Sequence, residues 1–256
     1  MATPIQNVGV YAIALDGNWS LRDLAGFSKA YEQVYSFLWV LEAGDTIEEG
    51  QLAIRFHDLS WTRGFSGPHF YASLRELVPS AARPRVRSIA YASPGTLMLA
   101  LAEPVAYSIK RVIHHACEAV QEIADTYHHI YKQLKERDLL RMDVRMRQSE
   151  LRQVEANEAS NENLNAPQDG LRIGSARAEE TPVTRETANQ REDVDRDNDE
   201  FIAYALGTLK AQMVLPPGDA LDRLAPNDLA RVKVLLSFYR RVIELRAFQL
   251  DGKAQL

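Results

Sequence analysis

Residues 104–134 read PVAYSIKRVIHHACEAVQEIADTYHHIYKQL, and this stretch decides the fold class. Pro104 suits a first helical turn, where its missing N–H removes no hydrogen bond. From Val105 to about Asn157 there is no Gly or Pro, and most residues are good helix formers. Val105, Ile109, Val112, Ala116, Val120, Ile123, Tyr127, Ile130 and Leu134 recur at spacings of three and four, which is one continuous apolar stripe. Beyond Leu134 the seam slips, then resumes with Leu140, Val144, Leu151 and Val154. At 1.5 Å per residue, some 50 residues extend about 75 Å. A chain of this size cannot cover such a helix with one globule, so the spacing predicts a projecting, coiled-coil-like helix that pairs with another copy. The alternative is a two-helix hairpin broken near Arg137-Asp138, although neither residue is a strong helix breaker.

Upstream of the helix the pattern is that of strands and turns. Val8 to Leu15 is apolar on both alternating sets, as expected for a strand covered on both faces. Asp16-Gly17-Asn18 is a turn signal, and Ser20 with Asp23 three residues on resembles a capping box. Leu21, Leu24, Ser28, Tyr31, Tyr35 and Leu38 then predict an amphipathic helix over 21–42. Leu52 to Phe56 reads as a short strand, and 68–78 fits either a helix or a loop. Arg85 to Tyr91 is a third strand by its β-branched content, although its alternation is imperfect. Ser93-Pro94-Gly95 is a tight turn, and Thr96 to Leu101 is either a return strand or the approach to the long helix.

Downstream the composition changes. Glu155 to Glu200 holds 13 acidic residues against 5 basic ones, a net of −8, whereas the rest of the chain carries +3. The stretch has no aromatic residue, and it buries too little apolar surface to offset the backbone entropy of ordering it, about 1–2 kcal/mol per residue. It reads as a flexible linker. Two helical segments follow: Phe201 to Met213, and a second that starts at Pro226-Asn227-Asp228 and closes at Asp251-Gly252. Such a pair is too small to fold alone, so it is expected to dock on the first region or on another subunit. The predicted organisation is an α+β domain over 1–104, a long helix over 105–157, an acidic flexible linker over 158–198 and a C-terminal helical segment over 199–256. The fold class is α+β, with a small mixed β-sheet and a packed helix.

Composition narrows the function classes. The 256 residues are 46% hydrophobic and 25% charged, ordinary for a globular chain. A net charge of −5 argues against coating nucleic acid by bulk charge. A single Cys117 excludes an internal disulfide and any multi-cysteine metal site. The N-terminus has no basic region leading into a long apolar core, and the Leu97–Ala102 run is far shorter than the roughly 20 residues that span a bilayer. A cytoplasmic protein without membrane attachment is the expectation.

Few residues point to chemistry. His114 and Cys117, three apart on the long helix, are the candidate metal ligands, with His128 14 residues from His114, about 21 Å along the axis. Two ligands from one helix do not make a site. The Gly64-Phe65-Ser66-Gly67 stretch lacks nucleophile-elbow spacing, and nearby His57, Asp58 and His69 are ordinary loop content. No phosphate-cradling glycine motif occurs, so no cofactor is expected. Seven basic residues between Lys132 and Arg152 make Arg137, Arg141 and Arg145 the nucleic-acid candidates, but interleaved acids favour an ion-paired solvated face. The candidate interface residues are Val120, Ile123, Tyr127, Ile130, Leu134, Leu140, Val144 and Leu151.

Val86-Arg87-Ser88-Ile89-Ala90-Tyr91-Ala92-Ser93-Pro94-Gly95, followed by Leu97, Leu99 and a long charged helix, resembles a group of uncharacterised bacterial proteins in which a strand ends in Ser-Pro-Gly before an apolar patch and a basic helix. The opening strand, turn and helix over 8–42 are also similar to theirs, whereas Ala102-Glu103-Pro104 replaces the glycine-rich junction they often carry. The resemblance implies a bacterial source and an accessory role in a multi-gene system such as phage defence, and it offers no catalytic assignment to transfer. The function expected is therefore a non-catalytic interaction or scaffold protein that self-associates through its long helix. A metal-dependent enzyme or effector using His114, Cys117 and His128 is the first alternative. A nucleic-acid-binding protein using the basic distal helix is the second.

Overall fold

The computed structural model describes residues 7–43, 66–91, 94–118, 120–165, 182–213, 215, 220–225 and 227–256. In chain order the elements are β1 (Val8–Leu15), α1 (Leu21–Ala43), α2 (Gly67–Leu77), β2 (Arg85–Ala90), β3 (Gly95–Ala102), α3 (Glu103–Glu118), α4 (Val120–Asn165), α5 (Pro182–Gln212), α6 (Ala220–Leu224), α7 (Asp228–Leu250) and β4 (Ala254–Gln255). The fold is α+β, as the sequence predicts. The chain forms two compact units: 1–128 together with 202–256, and 129–201.

The larger unit holds a four-stranded sheet in the order β2-β3-β1-β4. Every pairing is antiparallel, with Val8 opposite Ala102, Leu15 opposite Gly95 and Leu15 also opposite Ala254. The pairing expected from sequence was mixed. Thr96–Leu101 is a return strand, and β2 joins it through a connection of only four residues, 91–94, short enough for antiparallel neighbours. The imperfect alternation of 85–91 has a geometric cause. The register shifts between Val86 and Ser88, so Arg87 is an extra residue and Val86 and Ile89, three apart, share one face. The predicted strand at Leu52–Phe56 lies outside the described residues.

One face of the sheet is core: Ile13, Leu15, Leu97, Leu99 and Leu101 are buried. The other face of β1 differs from expectation, because Val8, Val10 and Ala12 are exposed. Apolar side chains on both sets of a strand establish what each face would accept, and here the described residues cover only one.

Helix α1 begins with the predicted capping box. The Ser20 N–H donates to Asp23 Oδ2 at 2.9 Å, and the Asp23 N–H donates to Ser20 Oγ at 3.1 Å. The helix is not amphipathic over its second half: every residue from Val34 to Leu41 is buried, while Leu21 of the predicted stripe is exposed. An all-round apolar sequence has no polar face to give to solvent, so the helix lies inside the unit. Helix α7 is its counterpart. It starts at Asn227, whose side chain accepts from the Ala230 N–H at 2.9 Å, and every residue from Val234 to Tyr239 is buried. Phe37 and Phe238 meet with ring centroids 4.3 Å apart. The segment expected to dock on the first region does so, and α1, α2, α3 and α7 pack together. Tyr35 fastens this layer to the sheet: its hydroxyl donates to the Ala82 carbonyl and accepts from the Ala102 N–H at 3.2 Å.

In the smaller unit the long helix does not break at Arg137-Asp138, because α4 is continuous through them. Residue 119, between α3 and α4, lies outside the described residues. Of the acidic segment 158–198, residues 158–165 continue α4 and 182–198 open α5, which differs from a flexible linker; 166–181 lie outside the described residues. The reason is local. No Gly or Pro occurs over 105–165 or 183–206, and Glu, Gln, Arg and Ala favour a helix even where they bury little. None of the described helices is long and apolar enough to cross a membrane.

Candidate functional site

The 129–201 unit has a dry side and an outer side on the same helix. Ile130 and Leu134 of α4 are buried, and Arg137 continues their face. Arg137 Nη1 donates to the Asp197 carbonyl at 2.9 Å, and its guanidinium lies 4.4 Å from the Phe201 ring centre. The start of this unit's first helical stretch thus meets the end of its second, as in a helical hairpin. Part of the predicted apolar seam is therefore satisfied within the chain.

The outer side carries a second apolar row. Leu139, Leu140, Met142 and Met146 are between 56% and 66% exposed. Leu139, Met142 and Met146 follow the i, i+3, i+7 spacing that aligns side chains on one face. Tyr131 begins the row, and Lys135 Nζ lies 4.9 Å from its ring centre. Ion pairs Lys132–Glu136 at 3.8 Å and Asp143–Arg147 at 2.9 Å border it along the helix. Such exposed pairs are worth about 0.3–0.5 kcal/mol each, so they keep the border solvated rather than fasten anything.

The predicted interface residues therefore divide. Ile130 and Leu134 are buried, Tyr127 and Val144 are half-buried, and Leu140 is exposed. The side chains of Val120, Ile123 and Leu151 lie outside the described residues. Sequence reading followed one seam and missed Leu139, Met142 and Met146, whose signal was a second set of apolar positions on the opposite side of the same helix. Among the nucleic-acid candidates, Arg137 is engaged by Asp197 and Phe201, Arg145 is exposed, and the Arg141 side chain lies outside the described residues.

Of the metal candidates, His114 and His128 are described. His114 is exposed and its Nε2 lies 3.3 Å from Glu118 Oε1 one turn on. His128 is also exposed and meets Tyr127 edge-on at 5.4 Å, while the Cys117 side chain lies outside the described residues. Among the described residues no group of three or more His, Cys, Asp or Glu is placed to hold a metal ion. Ser66 precedes α2 without a side-chain capping bond, and His69 is exposed; His57 and Asp58 lie outside the described residues.

A cleft of about 270 Å³ in the larger unit is lined by Val112, His115, Met213, Phe238, Tyr239 and Val242, with Ala116 and Gln212. Tyr239 donates to Gln212 Oε1 at 3.4 Å, and Gln212 Nε2 donates to Thr126 Oγ1 at 3.0 Å. Burial first, and the Glu122 charge second, push the Tyr239 hydroxyl well above the ordinary phenol range. It stays neutral at physiological pH, a hydrogen-bond donor rather than a base. The walls are largely apolar, with His115, Gln212 and Tyr239 the polar side chains among them. The lining comes from α3, α5 and α7, far apart in the chain, so no local motif signals it.

No protein-family model matches the chain, and no curated protein or solved structure is significantly similar to it. The resemblance of residues 86–99 to bacterial proteins therefore brings no family with it.

Proposed function

We propose that this chain is a non-catalytic interaction protein that self-associates through the outer row of α4. The observation that supports the reading is the exposed set Leu139, Leu140, Met142 and Met146 on a helix whose opposite side is already buried by its own chain. An apolar row of this length in water is costly, at about 25 cal/mol per Å² of apolar surface, and unusual unless something covers it. Methionine adapts to irregular partners, which suits an interface. A second copy presents the same row, and a two-fold operator places each row on the other.

Light scattering on the full chain tests this. The expected result is an oligomer at micromolar concentration that becomes monomeric in Leu139→Glu/Met142→Glu/Met146→Glu, with the helical circular dichroism retained. A wild-type chain that stays monomeric at high micromolar concentration overturns the proposal.

A further inference from the structure

Among the described residues, strand β2 is the outermost strand of the sheet and only β3 lies beside it. Alternate backbone N–H and C=O groups of Arg85–Ala90 therefore point away from the sheet, a template on which another strand can pair. All six residues are exposed. Because of the shift at Arg87, Val86 stands opposite Leu99 and Ile89 opposite Leu97, on the face that carries the core. Leu97 and Leu99 are buried, whereas Val86, Ile89 and the following Tyr91 are each more than half exposed. The core face of the sheet thus runs on past its cover as an apolar row at an open edge.

The charges at this edge are of one sign. Arg83, Arg85 and Arg87 make no ion pair with any acidic group among the described residues. Arg83 Nε donates to the Val78 carbonyl at 3.0 Å and Arg85 Nη2 to the Ser80 carbonyl at 2.8 Å, which orients both guanidiniums without neutralising them. Charged residues usually blunt a free edge, but a cluster of one sign also selects its opposite. A second copy laid antiparallel on this edge would set arginine near arginine. A nucleic-acid strand would meet the charge and leave the backbone edge and the Val86/Ile89 row unmatched.

We infer that the β2 edge binds an extended acidic segment of a partner protein, which adds to the sheet as a fifth strand. The backbone ladder supplies affinity, alternate apolar side chains of the segment rest on Val86, Ile89 and Tyr91, and its carboxylates meet Arg83, Arg85 and Arg87. The site shares no residue with the α4 row.

The probe is a short fluorescein-labelled peptide alternating Glu with Val and Ile, titrated with the full chain by fluorescence anisotropy at low and at physiological salt. The expected result is saturable binding that weakens as salt rises, and at least about tenfold weaker binding in Arg85→Glu/Arg87→Glu. Arg87→Glu alone, at a bulged and solvent-facing position, guards against a folding defect in the double variant and is expected to weaken binding in the same direction. Val86→Ala/Ile89→Ala is expected to weaken binding without altering its salt dependence. The inference is overturned if the peptide does not bind, if a Lys-for-Glu version binds equally, or if a uridine-rich RNA binds in its place. It is also overturned if the edge is occupied by a second copy, read as a halved mass in Arg87→Glu.

Discussion

Asp23 shows how one residue joins local and distant structure. It accepts from the Ser20 N–H and hydroxyl, and its Oδ2 lies 3.1 Å from Lys253 Nζ. These hydrogen bonds, with the Ser20 backbone contact foremost, lower its carboxyl from 3.8 to about 2. A carboxyl depressed in the folded state stabilises that state when ionised. Its contribution is complete above the unfolded value near pH 4 and is lost as pH falls through about 2. Ser20→Ala removes the hydroxyl bond, the second cause, and keeps the backbone N–H, so the Asp23 titration followed by carboxyl NMR is expected to move part of the way back toward the ordinary range. An unchanged titration midpoint would show that the Ser20 N–H and Lys253 hold the carboxylate without the hydroxyl. Tyr35 acts by the opposite cause: burial raises its hydroxyl, and as a neutral group it bonds Ala82 and Ala102 at once.

At the scale of elements, α4 divides its labour between faces. Ile130 is buried in the 129–201 unit, so Ile130→Ala leaves a cavity and is expected to cost about 3 kcal/mol of local stability. Lys132→Ala breaks only the exposed pair with Glu136 and is expected to change stability by less than about 0.5 kcal/mol. Amide hydrogen exchange along α4 separates the two, since the first substitution speeds opening and the second leaves it alone. Equal protection in both variants would mean that the Ile130 face holds nothing. The end of α7 follows the same logic of local satisfaction. Gly252 takes φ of +68°, and the Gly252 and Lys253 N–H groups bond the Gln249 and Phe248 carbonyls at 3.0 and 2.8 Å. That is the Schellman arrangement, and it turns the chain back so that Ala254 pairs with Leu15.

For the molecule as a whole, the larger unit is closed by residues from both ends of the described chain. Trp19 stacks on Phe248 at 5.5 Å, stands edge-on to Phe27, and donates to the Lys253 carbonyl at 3.2 Å. The Asp16 N–H bonds the same carbonyl at 2.9 Å. Helices α1 and α7 form the centre, yet the 129–201 unit lies between them in sequence. A chain ended at Phe201 lacks α7 and β4 and is expected to lose its near-ultraviolet circular dichroism and cooperative melting. A retained cooperative transition would show that cooperative folding does not need α7 and β4. Pairing elements so far apart also requires closing long loops before contacts form, which slows folding.

The amino-acid sequence by itself determined what short-range physics controls. The Ser20–Asp23 cap, the Asp251-Gly252 stop, the helical character of the stretch after Pro104 and the α+β class all follow from side-chain donors, backbone freedom and periodicity within a few residues. Periodicity could not say which apolar face would be covered, because that depends on what arrives from elsewhere. Val34–Leu41 reads as one stripe of an amphipathic helix and is buried on every side, whereas Val8 and Val10 read as doubly covered and stand exposed. The seam through Ile130 and Leu134 reads as an interface between copies and is buried within its own chain. The candidate sites followed the same rule. The histidines and arginines were visible as residue types, but only the tertiary structure decided that Arg137 meets Phe201, that His114 stands alone with Glu118, and that Leu139, Met142 and Met146 face outward. Burial is a relation between distant segments, and a one-dimensional pattern carries the capacity for it without naming the partner.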